Sequence, residues 1–283
     1  MTSKNGIDQL SEMIQIESDI DLIKYKGNRY AGVMENSKKN LSRWLYCVLH
    51  AGNEKLYTTN FDMSGEKLDQ KISNSVIDTK IIVKGVPVED MIEIGGVRIN
   101  KKPIGNEVQL SCLRPNLTPG FFMYVHSDSH TANQFRHYIA APDPDYAIKI
   151  WSAAVNNLAE KNIQFSAKIL SNSGSYPRND AIVFYSNEEV DLVQKELIEI
   201  TRNDSGRITV SPLCEKIGSN LGRAEQPMTA DGIRQSFGEH RCNAIADAIQ
   251  DVFTTGLDFR ILLKQRFINA NIDPNDISKE LRK

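Results

Sequence analysis

Lys168 is the one charged residue in a weakly polar run, IQFSAKIL (163–170). An Arg178-Asn-Asp180 turn and a second apolar run, AIVFYS, follow it. Strand alternation puts Ile163, Phe165, Ala167 and Ile169 on one side and Lys168, Ser166 and Gln164 on the other. In FRHYIAA the apolar Phe135 and Ile139 share a side with His137, which leaves Arg136 and Tyr138 on the side of Lys168. A lysine beside an arginine and a tyrosine can hold an anion and, once neutral, accept a proton. On an open sheet face such a lysine is simply solvated, and alternation alone leaves both readings standing. Asp180 reads as a turn residue or an ion-pair partner of Arg178.

Other chemistries find no support. His126 and His130 in YVHSDSH lack a third ligand nearby, so no metal is expected. Cys47, Cys112, Cys214 and Cys242 are scattered without a C-x-x-C pair, which reads as reduced, buried thiols. GVRINKKPIG lacks the order of a phosphate loop, and no G-x-S-x-G elbow occurs.

The elements that must position these residues follow from periodicity. Residues 4–17 and NLSRWLYCVLHAG read as helices, the second stopped by Gly52. Residues 52–80 read as a loop with a short helix, and 80–127 as a β-meander cut by Gly and Pro. From 135 the pattern is strand, helix capped by Asp143, strand, strand, helix capped by Asn187, and a closing strand RITV. That order predicts an α+β fold: a split βαβ, ferredoxin-like sheet with helices on one face. The meander would cover the other face and make a groove. SPLCEKIGSNLG and EHRCNAIADAIQDVFTTG read as flanking helices. The division expected is an N-terminal helical region, 1–79, and an α+β domain, 80–283, with one continuous domain as the alternative.

The 283 residues carry a formal net charge of −2, with 34 Lys and Arg against 36 Asp and Glu, so no bulk attraction to nucleic acid or membrane is expected. No apolar run of about 18 residues occurs. The polar N-terminus predicts a cytoplasmic protein and also suits a type III secretion signal.

LRPNLTPGFF, FRHYIAAP, FSAKIL with SYPRNDAIVFY, and SFGEHRCNAIADAI resemble the HopA-type family, over roughly residues 105–255. That family is named for a type III secreted effector of plant-pathogenic bacteria, and related domains occur in clusters making class V lanthipeptides and thioamide-containing peptides. The resemblance implies a phosphoserine/phosphothreonine lyase. It would act on a precursor peptide phosphorylated by a separate kinase, and leave dehydroalanine or dehydrobutyrine without any cofactor. Under that implication Lys168 is the base, Arg136 the neighbouring cation and Tyr138 the proton donor, with His137 as second choice. Arg178 would bind phosphate, followed by Arg241, Arg223 and Arg114, and Asp180 would orient Arg178. The alternatives are an effector-like interaction module and a peptide-binding scaffold without catalysis.

Overall fold

The computed structural model describes residues 6–59, 64–94, 97–99, 107–126, 134–203, 208–228 and 235–282. It is a mixed α+β structure with antiparallel sheets. The chain begins with α1 (Ile7–Met13) and a three-stranded sheet of β1 (Ile14–Glu17), β2 (Leu22–Tyr25) and β3 (Asn28–Ala31). The helix expected over 4–17 therefore stops at Met13, because the alternating IQIE pairs with Leu22–Tyr25. Then comes α2 (Lys38–Leu45), capped by Ser37, which continues into a π-helical turn at Tyr46–His50 and ends before Gly52 at φ +70°. Two short helices follow, α3 (Lys55–Thr58) and α4 (Asp69–Asn74).

The expected meander is split. β4 (Lys80–Lys84) pairs with β8 (Glu107–Ser111), while β5 (Val86–Val88), β6 (Met91–Ile94) and β7 (Val97–Ile99) form their own sheet. β9 (Leu113–Thr118) and β10 (Phe121–Val125) instead join the main sheet. That sheet also holds β11 (Phe135–Ala141), β12 (Ser166–Leu170), β13 (Arg178–Ser186), β14 (Glu215–Lys216) and β15 (Leu221–Glu225). Its order is β14-β15-β11-β13-β12-β10-β9, every neighbouring pair antiparallel. The helices are α5 (Pro144–Glu160), α6 (Val190–Thr201), α7 (Phe237–Thr255) and α8 (Phe259–Asn269).

The closing strand is not RITV: Ile208–Val210 are not in a strand, and Arg207 lies outside the described residues. Leu221–Glu225 takes that place beside β11, and β14 lies within the segment expected to be helical. Close packing explains Gly222 there, since a Cβ would lie 3.0 Å from Cys214 Cβ. Asp143 caps α5 through the Tyr146 amide at 2.8 Å, as expected. Asn187 does not cap α6 with its side chain; only its backbone carbonyl takes the Val190 amide.

One face of the main sheet, carrying Ile139, Ala167, Ile169, Ile182 and Phe184, packs under α5 and α6 against Trp151, Leu158 and Leu197. Burying each such large apolar side chain contributes about 1.5–3 kcal/mol. The opposite face carries Tyr138 and Val183 and is covered by Phe237, Ile245 and Ala248 of α7, with Trp44 and Leu45 of α2 in the same core. The expectation that the 80–127 segment would cover this face is therefore corrected. FFMYV pairs edge-on with β12 and extends the sheet sideways. The groove is walled by α2 and α7 instead.

Candidate active site

Two features of the sheet set the site. Lys168 is flanked in register by Val183 on β13 and Met123 on β10, and Val183 pairs onward with Tyr138. Arg136 pairs with Tyr185, which pairs with Ser166. Alternation thus brings Lys168, Arg136, Tyr138 and Tyr185 to one face. Second, the β11–β13 register breaks. Ile139 faces Ile182 but Ala141 faces Arg178, so β13 spends two extra residues there. The break lets Arg178 and Asp180 reach Tyr46 and His50 under α2.

Arg178 donates from Nε and Nη2 to Asp180 Oδ1 and Oδ2 at 2.7 and 2.6 Å, and from Nη2 to Tyr46 Oη at 3.1 Å. Tyr46 Oη donates to Asp180 Oδ2 at 2.9 Å, and His50 Nε2 lies 3.7 Å from the same oxygen. Both members of the ion pair are buried. Burial alone would raise the Asp180 carboxyl, but Arg178, His50 and Lys168 outweigh it and hold it well below the usual carboxylate range. Burial pushes His50 down to about 4, so it is neutral at pH 7. Asp180 thus holds Arg178 through two hydrogen bonds. Among the described residues Arg178 Nη1 makes no hydrogen bond, and Arg178 lines a cleft of about 560 Å³ between α2, the start of α7 and Phe121.

Lys168 Nζ stands 4.2 Å from the Phe121 ring centroid, on the sheet face of Tyr185 and one register step from it. On the other side of Tyr185 the Arg136 guanidinium stacks at 5.3 Å. Burial alone would raise the Tyr185 hydroxyl, but Lys168 and Arg136 outweigh it and lower its pKa below the usual tyrosine value. Arg136 is fixed by Gln226 Oε1 at 2.7 Å and the Gln235 carbonyl at 2.9 Å. Tyr138 is buried beneath His50 and Phe237; burial raises its pKa, and among the described residues Arg136 alone hydrogen-bonds its hydroxyl, at 3.4 Å.

The remaining sequence candidates lie elsewhere. His137 is on the opposite face with Arg223, and burial lowers it to about 4. Arg223 is held by Glu215 and Gln194. Arg241, on α7, is fully buried against the C-terminal tail, donating to the Ile277 and Lys279 carbonyls and to Glu280 at 2.6 Å. Arg114 is two strands from Lys168, about 10 Å away, and donates to the neighbouring Leu113 carbonyl. His126 bonds the Ile163 carbonyl; His130 lies outside the described residues. Among the described residues no cluster of three metal-ligating groups occurs, and the four cysteines are buried thiols outside any disulfide.

Sequence reasoning missed Tyr185, Tyr46, His50 and Phe121. Tyr185 was legible, since it alternates with Val183; the others reach the site from distant segments. Gly238, in the SFG stretch, explains how α7 approaches: a Cβ there would lie 2.3 Å from His50 Cδ2 and 2.7 Å from Tyr46 Cε2.

The profile of the HopA1 effector protein family matches residues 112–278. The chain belongs to that family. The matched segment carries Lys168, Arg136, Arg178, Asp180 and Tyr185, while Tyr46 and His50 precede it. Two solved structures of effector proteins are similar to this chain. One, from Pseudomonas syringae pv. tomato strain DC3000, has 19% identity and a TM-score of 0.43. The other, from Pseudomonas syringae pv. syringae strain 61, has 20% identity and a TM-score of 0.44. In both cases the match covers 57% of this chain and 63% of the other, less than two thirds of the relative's length. No curated protein matches. Among the described residues no helix is long and apolar enough to cross a membrane.

Proposed function

We propose that this chain is a lyase that eliminates phosphate from phosphoserine or phosphothreonine in a peptide phosphorylated by a separate kinase. The observation that carries the reading is that Lys168, Tyr185 and Arg136 share one sheet face, beside Arg178 at the wall of a cleft. The order β15-β11-β13-β12, with α5 and α6 on one face, supports a split βαβ framework beneath it.

In the reaction, Lys168 takes the Cα proton. The electron pair closes the Cα=Cβ double bond, and the Cβ–O bond breaks toward phosphate. Arg178 Nη1 holds the departing oxygens, in the planar geometry that suits them. Tyr185 donates a proton to the leaving group, the role first given to Tyr138, whose hydroxyl is buried and pushed up in pKa. Arg136 keeps Tyr185 acidic enough to give that proton. The product is dehydroalanine or dehydrobutyrine and free phosphate.

The test is mass spectrometry of phosphoserine and phosphothreonine peptides incubated with the protein. Loss of one phosphoric acid per site, with a product that adds a thiol, is expected. Lys168→Ala should abolish the loss and Tyr185→Phe should slow it. Peptides returned intact would refute the lyase. Membership of an effector family favours a non-enzymatic interaction module as the second reading. Intact peptides that also fail to bind would select it.

A further inference from the structure

Arg178 alone is a weak phosphate site. Asp180 neutralises its charge through two hydrogen bonds, so Nη1 offers direction with little net attraction. A phosphate monoester brings about −1.5 to −2 charges at pH 7. The cleft into which Arg178 faces supplies the missing cations from α2. Lys39 and Arg43 stand one turn apart on its wall, where i and i+4 side chains share a helix face. Lys39 is exposed and makes no ion pair among the described residues, whereas its neighbour Lys38 pairs with Asp247 at 2.9 Å. Arg43 lines the same wall, with its guanidinium 5.6 Å from the Tyr57 ring centroid. Glu239 stands on the facing α7 wall, so the positive side of the cleft is the α2 side. Phe121 forms the apolar floor, with Lys168 Nζ 4.2 Å from its ring centroid.

We propose that Lys39 and Arg43, with Arg178 Nη1 beneath them, form the pocket for the phosphate monoester of a phosphorylated peptide. Two of its three cations then come from a helix that precedes the segment matched by the family profile. This deepens the lyase reading by saying where the phosphate sits, and it rests on that reading only for the choice of a peptide ligand.

The test uses the full chain carrying Lys168→Ala, so that peptide is not consumed. Fluorescence anisotropy compares a phosphothreonine peptide with its unphosphorylated form. A preference of about tenfold or more for the phosphopeptide is expected, weakening with salt. Inorganic phosphate should compete for the same site. Lys39→Gln with Arg43→Gln should erase the preference. Because Arg43 also packs on Tyr57, Lys39→Glu alone is the second variant, and it should weaken phosphopeptide binding several-fold without changing Tm. Equal binding of both peptides, or a preference that survives both variants, would overturn the pocket. Elimination that survives in the active Lys39→Gln/Arg43→Gln protein would overturn the pocket and leave the lyase. Phosphopeptide binding that depends on Lys39 and Arg43, without elimination by the wild type, would keep the pocket and overturn the lyase.

Discussion

Replacing Asp180 with Asn tests whether the buried ion pair organises this face. Arg178 Nη2 and Asp180 Oδ2 are 2.6 Å apart, and both side chains are 5% exposed. At an effective dielectric constant of about 20 the contact gives roughly 6 kcal/mol of gross attraction. The Asn oxygen can still accept one Arg178 hydrogen bond, but its NH2 then faces Arg178 Nη2 and Tyr46 Oη, both donors in the native arrangement. Removing one partner of a buried pair costs about 3–5 kcal/mol, and hydration of Nη1 from the cleft favours the low end. For a chain of this size that is a fall in Tm of about 6–10 °C. Removing both charges, as Arg178→Met with Asp180→Leu, should cost much less than the sum of the two single changes, because no charge is left unpaired. The pH dependence has a definite sign. The folded carboxyl is held well below its unfolded value of about 4, so its contribution is full above pH 4 and is lost as pH falls below that. The gap between wild type and Asp180→Asn should therefore be constant from pH 5 to 8 and close only in stronger acid. Calorimetry across that range measures it. An Asp180→Asn protein melting within about 2 °C of wild type at pH 7 would refute the reasoning.

Gly238→Ala should destabilise by about 3 kcal/mol, because the new methyl meets the buried His50 ring, and it should also weaken phosphopeptide binding by displacing Tyr46; urea unfolding and anisotropy read the two effects. His50 and His137 are buried neutral with pKa near 4, against about 6.5 unfolded, so stability should fall as pH drops from about 6.5 to 4, by up to roughly 3 kcal/mol each. His137→Leu should flatten part of that slope in urea midpoints taken at pH 7.5 and 4.5. Arg241→Met should cost about 3 kcal/mol by unpairing Glu280 and two tail carbonyls, yet leave phosphopeptide affinity unchanged once the protein is folded; a selective loss of phosphopeptide binding would return Arg241 to the site.

Sequence by itself determined the local chemistry of the sheet. Period-two alternation placed Lys168, Arg136 and Tyr138 on one face and His137 on the other, and the structure has them there. It would have placed Tyr185 too. The Asp143-Pro144 start of α5 was equally local, since a cap bonds only three residues away. Alternation says nothing about what covers a face, and the sequence favoured the wrong neighbour, since an aromatic strand serves as well at a sheet edge as over its surface. Nor does it rank arginines. Arg178, Arg241, Arg223 and Arg114 look alike in sequence and differ only in their partners. Glu280 is 39 residues from Arg241, and Tyr46 is 132 from Arg178. The same distance hides the site's second half. Tyr46 meets Arg178, His50 meets Asp180, and Lys39 and Arg43 line the same cleft, only because α2 packs on α7, with Gly238 leaving room, and a register break in β13 lets Arg178 and Asp180 reach that end. Local periodicity is fixed by backbone geometry, whereas partners across more than a hundred residues are fixed by how the core closes.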